Sequence, residues 1–106
     1  MGDREVIKEW ADEVLGFLNT APSDTTPERI TENRKRFIPI QLGRGSVSSK
    51  GKNLGVEVAS LVSDAVYYVN EYFRYFEKGY KSPERIDDLP DKCKEALGKL
   101  IVEIDK

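Results

Sequence analysis

The longest periodic stretch of the chain is LGVEVASLVSDAVYYVNEYFRYFEK, residues 54–78. At 100° per residue its apolar side chains fall on one wide face, with polar side chains opposite. The apolar face carries Val58, Leu61, Val62, Ala65, Val69, Tyr72, Phe73 and Phe76, and the polar face carries Ser60, Asp64, Glu71, Arg74 and Lys78. This pattern predicts a long helix that contacts more than one neighbouring helix.

Two further helices are predicted near the ends of the chain. Apolar side chains recur at steps of three and four over residues 3–18, and Asp3 is placed to cap that helix. The turn-forming composition of residues 19–24 predicts a loop after it. Residues 89–106 show the same helical periodicity, and their core face includes Cys93. A lone cysteine on such a face is typical of a small buried side chain, and less typical of a nucleophile.

Another helix should begin at Thr26 and Pro27, which have the residue types of an N-cap and a first helical position. It should end near Arg36, because Pro39 disfavours helical backbone in the residue before it. Together with the other stretches, this gives about four main helices and no clear pair of strands.

The connection into the longest helix has two parts. Residues 37–42 (FIPIQL) predict a short extended segment that lies on the core. Residues 43–53 (GRGSVSSKGKN) are rich in glycine and serine and predict a flexible basic loop. The predicted fold class is therefore all-α: one helical domain over residues 1–106, with about four main helices and a long basic loop between helices 2 and 3.

The composition is that of one soluble domain. The chain has 106 residues, 34% of them charged, and a net charge of −2. No apolar run approaches the roughly 20 residues that span a bilayer and no signal-peptide pattern opens the chain, so we expect a cytoplasmic protein without membrane contact. Histidine is absent and Cys93 is the one cysteine. The prediction is accordingly no catalytic residue, no metal site and no cofactor.

Charge is segregated along the chain. Residues 1–28 carry two basic and seven acidic groups, whereas residues 29–53 carry seven basic groups and one acidic group. Such segregation indicates a partner of opposite charge, or an acidic face of the same protein. The residues predicted to contact a nucleic-acid backbone are Arg34, Lys35, Arg36, Arg44, Lys50 and Lys52. The alternative is that these charges balance the acidic first helix.

The glycine-rich segment does not match a nucleotide-hydrolysing P-loop. The pattern G-x-x-x-x-G-K-[ST] has four residues between its glycines, but five separate Gly45 from Gly51. Asn53 also follows Lys52 where serine or threonine is required. The mismatch does not affect a second prediction, that the segment contacts phosphate without hydrolysing a nucleotide, because N–H groups of glycine-rich turns and helix N-termini favour anions.

Seven of the ten aromatic side chains lie within residues 67–80. Most follow the core face, as expected for packing. Tyr67 projects on the polar face, and Tyr68 and Tyr75 lie at its boundary. Exposed tyrosine fits a protein interface or a stacking surface for single-stranded nucleic acid, and the neighbouring acids favour the first. These three tyrosines are the predicted partner interface.

Two functions from different classes are open. The first is a non-catalytic helical subunit of a larger assembly, which contacts an RNA or DNA backbone through residues 29–52 and a protein partner or a second copy through its tyrosines. Small helical subunits of CRISPR effector complexes have this architecture and serve as an analogy only, since no motif here resembles them. The net charge favours a role inside an assembly over a free-standing nucleic-acid binder. The second function is a protein–protein adaptor or inhibitor with no nucleic-acid role.

Overall fold

The computed structural model describes residues 2–24, 26–37, 46–75, 79–85 and 87–106. Within these ranges the chain forms five α-helices and no strand. The helices are α1 (Asp3–Asp24), α2 (Pro27–Phe37), α3 (Val47–Asn53), α4 (Val56–Arg74) and α5 (Leu89–Ile104). The predicted all-α class is confirmed, and the Cα radius of gyration of 13.3 Å is that of a compact chain of this length. None of the described helices is both long and apolar enough to cross a membrane.

The start of α2 follows its sequence signal. Thr26 Oγ1 accepts a hydrogen bond from the N–H of Arg29 at 3.1 Å, and Pro27 is the first residue of the helix. The start of α4 depends on Gly55, whose φ of 112° lies in a region that favours glycine. This residue lets the chain turn from α3 into α4 across a two-residue junction.

The predicted flexible loop over residues 43–53 is wrong for residues 47–53, which form α3. Ser46 caps this helix, because its Oγ accepts a hydrogen bond from the N–H of Ser49 at 3.1 Å. Val47 is 1% exposed and fixes the first turn in the core. Residues 43–45, like the extended segment expected over residues 38–42, lie outside the described part of the chain.

The glycine inside α3 has a packing role. A Cβ on Gly51 would lie 2.9 Å from Cγ2 of Val62 on α4, closer than real Cβ atoms approach, and 3.1 Å from Cβ of the same residue, which is also a tight contact. Gly51 therefore allows α3 to lie close against α4. The glycine content of the segment predicted a loop, whereas this glycine serves helix packing. The end of α1 also differs from expectation, since the loop predicted over residues 19–24 is a continuation of that helix.

Four of the helices contact one another in a closed ring. α4 packs against α3 and α5, and α1 packs against the same two helices. α4 and α5 are antiparallel, because Val56 and Glu103 line a pocket at one end of the pair while Tyr68 and Lys92 line a pocket further along it. α2 joins this ring through the buried side chains of Ile30 and Phe37.

Aromatic rings connect three helices in the core. Phe17 of α1 stacks on Phe73 of α4, with 5.6 Å between ring centroids, and Phe37 of α2 lies 6.2 Å from each of them. On the predicted core face of α4, the buried residues are Val58, Val62, Ala65, Val69, Tyr72 and Phe73. Leu61 is half-buried, and Phe76 lies outside the described residues. The periodicity of α4 thus predicted its core face, while Val66 and Glu71, which were not predicted on that face, are also buried.

Candidate functional site

The basic segment is distributed over α2 and α3. On α2, the side chain of Lys35 is exposed and that of Arg34 is half-buried. On α3, Lys52 is exposed and Lys50 is half-buried. Arg44 and the side chain of Arg36 lie outside the described part of the protein. Four of the six predicted phosphate-contacting side chains can therefore be placed.

Lys50 has a partner within the protein. Its Nζ lies 3.3 Å from Asp3 Oδ1, and Asn53 Nδ2 donates to the other oxygen of that carboxylate at 3.4 Å. Asp3 is in the first turn of α1, where the helix dipole also favours a negative charge. Both charged side chains are partly exposed, so the ion pair contributes up to about 1 kcal/mol. The contact ties α3 to α1 and matches the alternative in which the basic segment balances the acidic helix.

The described part of the glycine- and serine-rich segment does not present an open anion cradle. Ser46 is 5% exposed and its Oγ already serves as the cap of α3. The first turn of α4 carries Glu57, whose negative charge already lies at the positive end of that helix. The cationic side chains of this segment that are exposed, among those the structure describes, are Lys35 and Lys52.

The tyrosine cluster occupies the C-terminal half of α4. Tyr67 and Tyr75 are each 42% exposed, whereas Tyr68 is half-buried. The rings of Tyr67 and Tyr68 meet edge to face, with 5.1 Å between centroids. Lys92 of α5 places its ammonium 5.8 Å from the centroid of Tyr68, within the range of a cation–π contact. The predicted exposure of Tyr67 is thus observed, while Tyr68 takes part in the packing between α4 and α5.

Glu71 differs from its prediction. The sequence places it on the polar face of α4, but its side chain is 6% exposed. Tyr80 donates its hydroxyl hydrogen to this carboxylate at 2.7 Å, and Ser82 donates to Oε2 at 2.5 Å. Arg74 lies over the ring of Tyr80, 4.1 Å from the centroid. Glu71 is buried because residues 79–85 fold back over α4 and supply its hydrogen-bond donors, a contact between distant residues that helical periodicity does not reveal.

An ion pair also holds residues 79–85 against α5. Lys92 Nζ lies 2.7 Å from Glu84 Oε2, and Tyr67 donates to Glu84 Oε1 at 3.3 Å. The hydrogen bond to Lys92 lowers the pKa of Glu84 below its ordinary value and raises the pKa of Lys92 above its own. Desolvation and the nearby charges of Glu84 and Glu71 raise the pKa of Tyr67. These shifts favour the ionised Glu84–Lys92 pair and a neutral Tyr67 at neutral pH.

Cys93 is fully buried, as its position on the core face predicts. Burial raises the pKa of its thiol to about 12, so the thiolate needed for nucleophilic attack is scarce at neutral pH. Among the described residues, no three acidic or cysteine side chains converge in a way that could hold a metal ion.

Comparisons with protein-family models, curated proteins and solved structures give no significant match for this chain. Any functional conclusion therefore rests on its own residues.

Proposed function

We propose that this chain is a non-catalytic helical subunit of a larger assembly, which contacts a nucleic-acid phosphate backbone through residues 29–52. The supporting observation is the exposure of Lys35 and Lys52 in a segment with seven basic groups and one acidic group. Neither lysine forms an ion pair with another described residue, so each can contact a phosphate without breaking an internal contact.

The sparse set of exposed cations limits the strength of this contact. Lys50 is already paired with Asp3, and the whole chain has a net charge of −2. A surface of this kind suits sequence-independent backbone contact, strengthened by neighbouring subunits, better than tight binding by an isolated chain.

The test measures binding of random-sequence RNA and DNA at several salt concentrations. The double variant Lys35→Glu/Lys52→Glu should weaken binding and make the salt dependence shallower by roughly 0.7–0.9 per lost contact in log–log slope. Its matched control is Lys81→Glu/Lys94→Glu, which changes the net charge equally at two lysines outside the segment that form no ion pair with another described residue. Equal loss of binding in both double variants would contradict a contact localised to residues 29–52. If the native chain binds neither nucleic acid at low salt, the isolated protein does not make the proposed contact.

The second candidate function is a protein–protein adaptor or inhibitor, in which the basic segment docks on an acidic partner or on the acidic first helix of its own chain. The contact between Lys50 and Asp3, at 3.3 Å, supports the second of these arrangements. The exposed rings of Tyr67 and Tyr75 are the proposed contact residues on α4. An adaptor predicts no salt-dependent binding of either nucleic acid, so the same experiment distinguishes the two functions.

A further inference from the structure

Residues 79–85 form a non-helical segment that is attached to α4 and α5 by polar contacts. Glu71 accepts hydrogen bonds from it, Lys92 forms an ion pair with it, and Arg74 lies over one of its rings. None of its residues belongs to the hydrophobic core. Its side chains alternate along the segment, with Tyr80, Ser82 and Glu84 half-buried and Lys81, Pro83 and Arg85 exposed. A segment attached in this way can detach while the core stays folded.

Glu71 is the residue of α4 on which this attachment depends. Its carboxylate is 6% exposed and accepts hydrogen bonds from the hydroxyls of Tyr80 and Ser82. Both donors are neutral, and no lysine or arginine among the described residues forms an ion pair with this carboxylate. A second negative charge in contact with Glu71 would therefore be strongly unfavourable, because water is largely excluded from the carboxylate.

Ser82 combines a kinase context with this buried contact. Pro83 follows it directly, and the two residues lie in a non-helical surface segment of the kind that kinases can bind. In the transfer, Ser82 Oγ attacks the γ-phosphorus of ATP. The Oγ–P bond forms, the bond between that phosphorus and ADP breaks, and the hydroxyl proton passes to the kinase.

A phosphate on Ser82 is incompatible with the docked segment. Esterification removes the proton that Ser82 donates to Glu71, across a distance of 2.5 Å between Oγ and Oε2. It also brings roughly 1.5–2 negative charges against the buried carboxylate, and like charges placed together in this way disrupt a contact. The phosphorylated and docked states therefore exclude each other.

Thr26 and Pro27 form the other Ser/Thr–Pro pair of the chain, and they lack this coupling. Thr26 Oγ1 accepts a hydrogen bond from the N–H of Arg29 in the first turn of α2. A negative charge is favoured at that end of a helix, so a phosphate there would release nothing. Of the two pairs, only the one at Ser82 joins its hydroxyl to a buried carboxylate.

We propose that Ser82 is a phosphorylation site, and that its phosphate releases residues 79–85 from α4. Release breaks the hydrogen bond between Tyr80 and Glu71 and frees the hydroxyl of Tyr67 from Glu84. Phosphorylation thereby uncovers one of the tyrosines proposed to contact a protein partner. This switch goes beyond the proposed nucleic-acid contact and does not depend on it.

The first test treats the full chain with a proline-directed serine/threonine kinase and ATP, and locates the phosphate by mass spectrometry. We expect phosphate on Ser82 and none there in Pro83→Ala, which keeps the serine. Tyr80→Phe should raise the initial rate at Ser82 roughly tenfold or more, because docking loses one hydrogen bond to a charged group. The matched control is Tyr68→Phe, whose native hydroxyl bonds to no other described residue, and its rate should equal that of the native chain.

The second test follows docking by NMR. The ring of Tyr80 lies 4.1 Å from the guanidinium carbon of Arg74, so its ring current displaces the Arg74 side-chain resonances. Phosphorylation should abolish this displacement and leave the helical circular dichroism unchanged. Phosphorylated Glu71→Gln should keep the displacement, because an amide carries no charge and can donate to the phosphate.

Three results would overturn the proposal. The first is a Ser82 that the kinase leaves unmodified in both the native chain and Tyr80→Phe. The second is a phosphorylated native chain that keeps the displaced Arg74 resonances. The third is loss of that displacement in phosphorylated Glu71→Gln as well, since repulsion by the carboxylate would then not be the cause of release.

Discussion

Replacement of Gly51 by alanine should destabilise the protein, although alanine is the better helix former. Gly51 lies in α3, and an added Cβ would come within 2.9 Å, 3.1 Å and 3.4 Å of three carbons of Val62. Val62 is 1% exposed and β-branched, so rotation of its side chain away from the added Cβ is restricted. The clash must therefore move α3 away from α4.

The expected size of the effect follows from two opposing contributions. Glycine to alanine in a helix interior gains about 1 kcal/mol, whereas overpacking a well-packed core costs about 1–3 kcal/mol. The net result is a cost of up to roughly 2 kcal/mol, and because all three close atoms belong to one stiff side chain we expect the upper part of that range. The control is Gly16→Ala on the exposed side of α1, which should gain about 1 kcal/mol because nothing opposes its Cβ.

Urea unfolding followed by far-UV circular dichroism measures both variants. A double-mutant cycle tests whether the contact with Val62 causes the destabilisation. Val62→Ala removes the two close methyl groups, so Gly51→Ala should cost at least about 1 kcal/mol less in that background than in the native one. If Gly51→Ala stabilises the protein as much as Gly16→Ala does, α3 does not pack closely on α4 through this glycine.

Three further outcomes are expected from buried or hydrogen-bonded groups. Glu71→Ala should cost about 1–3 kcal/mol in urea unfolding, because the hydroxyls of Tyr80 and Ser82 lose their acceptor; an unchanged midpoint would contradict the buried network. The hydrogen bond to Glu71 raises the pKa of Tyr80 above 10.0, so the folded state holds this proton more tightly than the unfolded state. The contribution of the Tyr80 hydrogen bond to the free energy of unfolding is complete below pH 10 and is lost as the pH rises towards the folded pKa. In thermal melts, Tyr80→Phe should therefore lose less stability at alkaline pH than the native protein does. Cys93, buried and with its pKa raised to about 12, should react with a thiol reagent only at the rate of unfolding, and fast reaction in native buffer would show that its helix opens locally.

Helical periodicity predicted the long elements because their packing repeats along one face. It placed the core sides of α4 and α5 and the start of α2 correctly. It failed at α3, a helix of seven residues whose sequence, VSSKGKN, contains one large apolar side chain. That short helix is stabilised by the cap at Ser46 and by tertiary contact at Val47 and Gly51, neither of which produces a periodic pattern.

At the candidate site, too, the sequence predicted local patterns better than contacts between residues far apart in the chain. The uneven charge along the chain predicted either a partner of opposite charge or an acidic face of the same protein, and the contact of Lys50 with Asp3, 47 residues away, is of the second kind. The burial of Glu71 had no local signal, because its projection on α4 is that of a polar residue. Its donors at residues 79–85 come from a segment whose path over α4 the sequence does not specify.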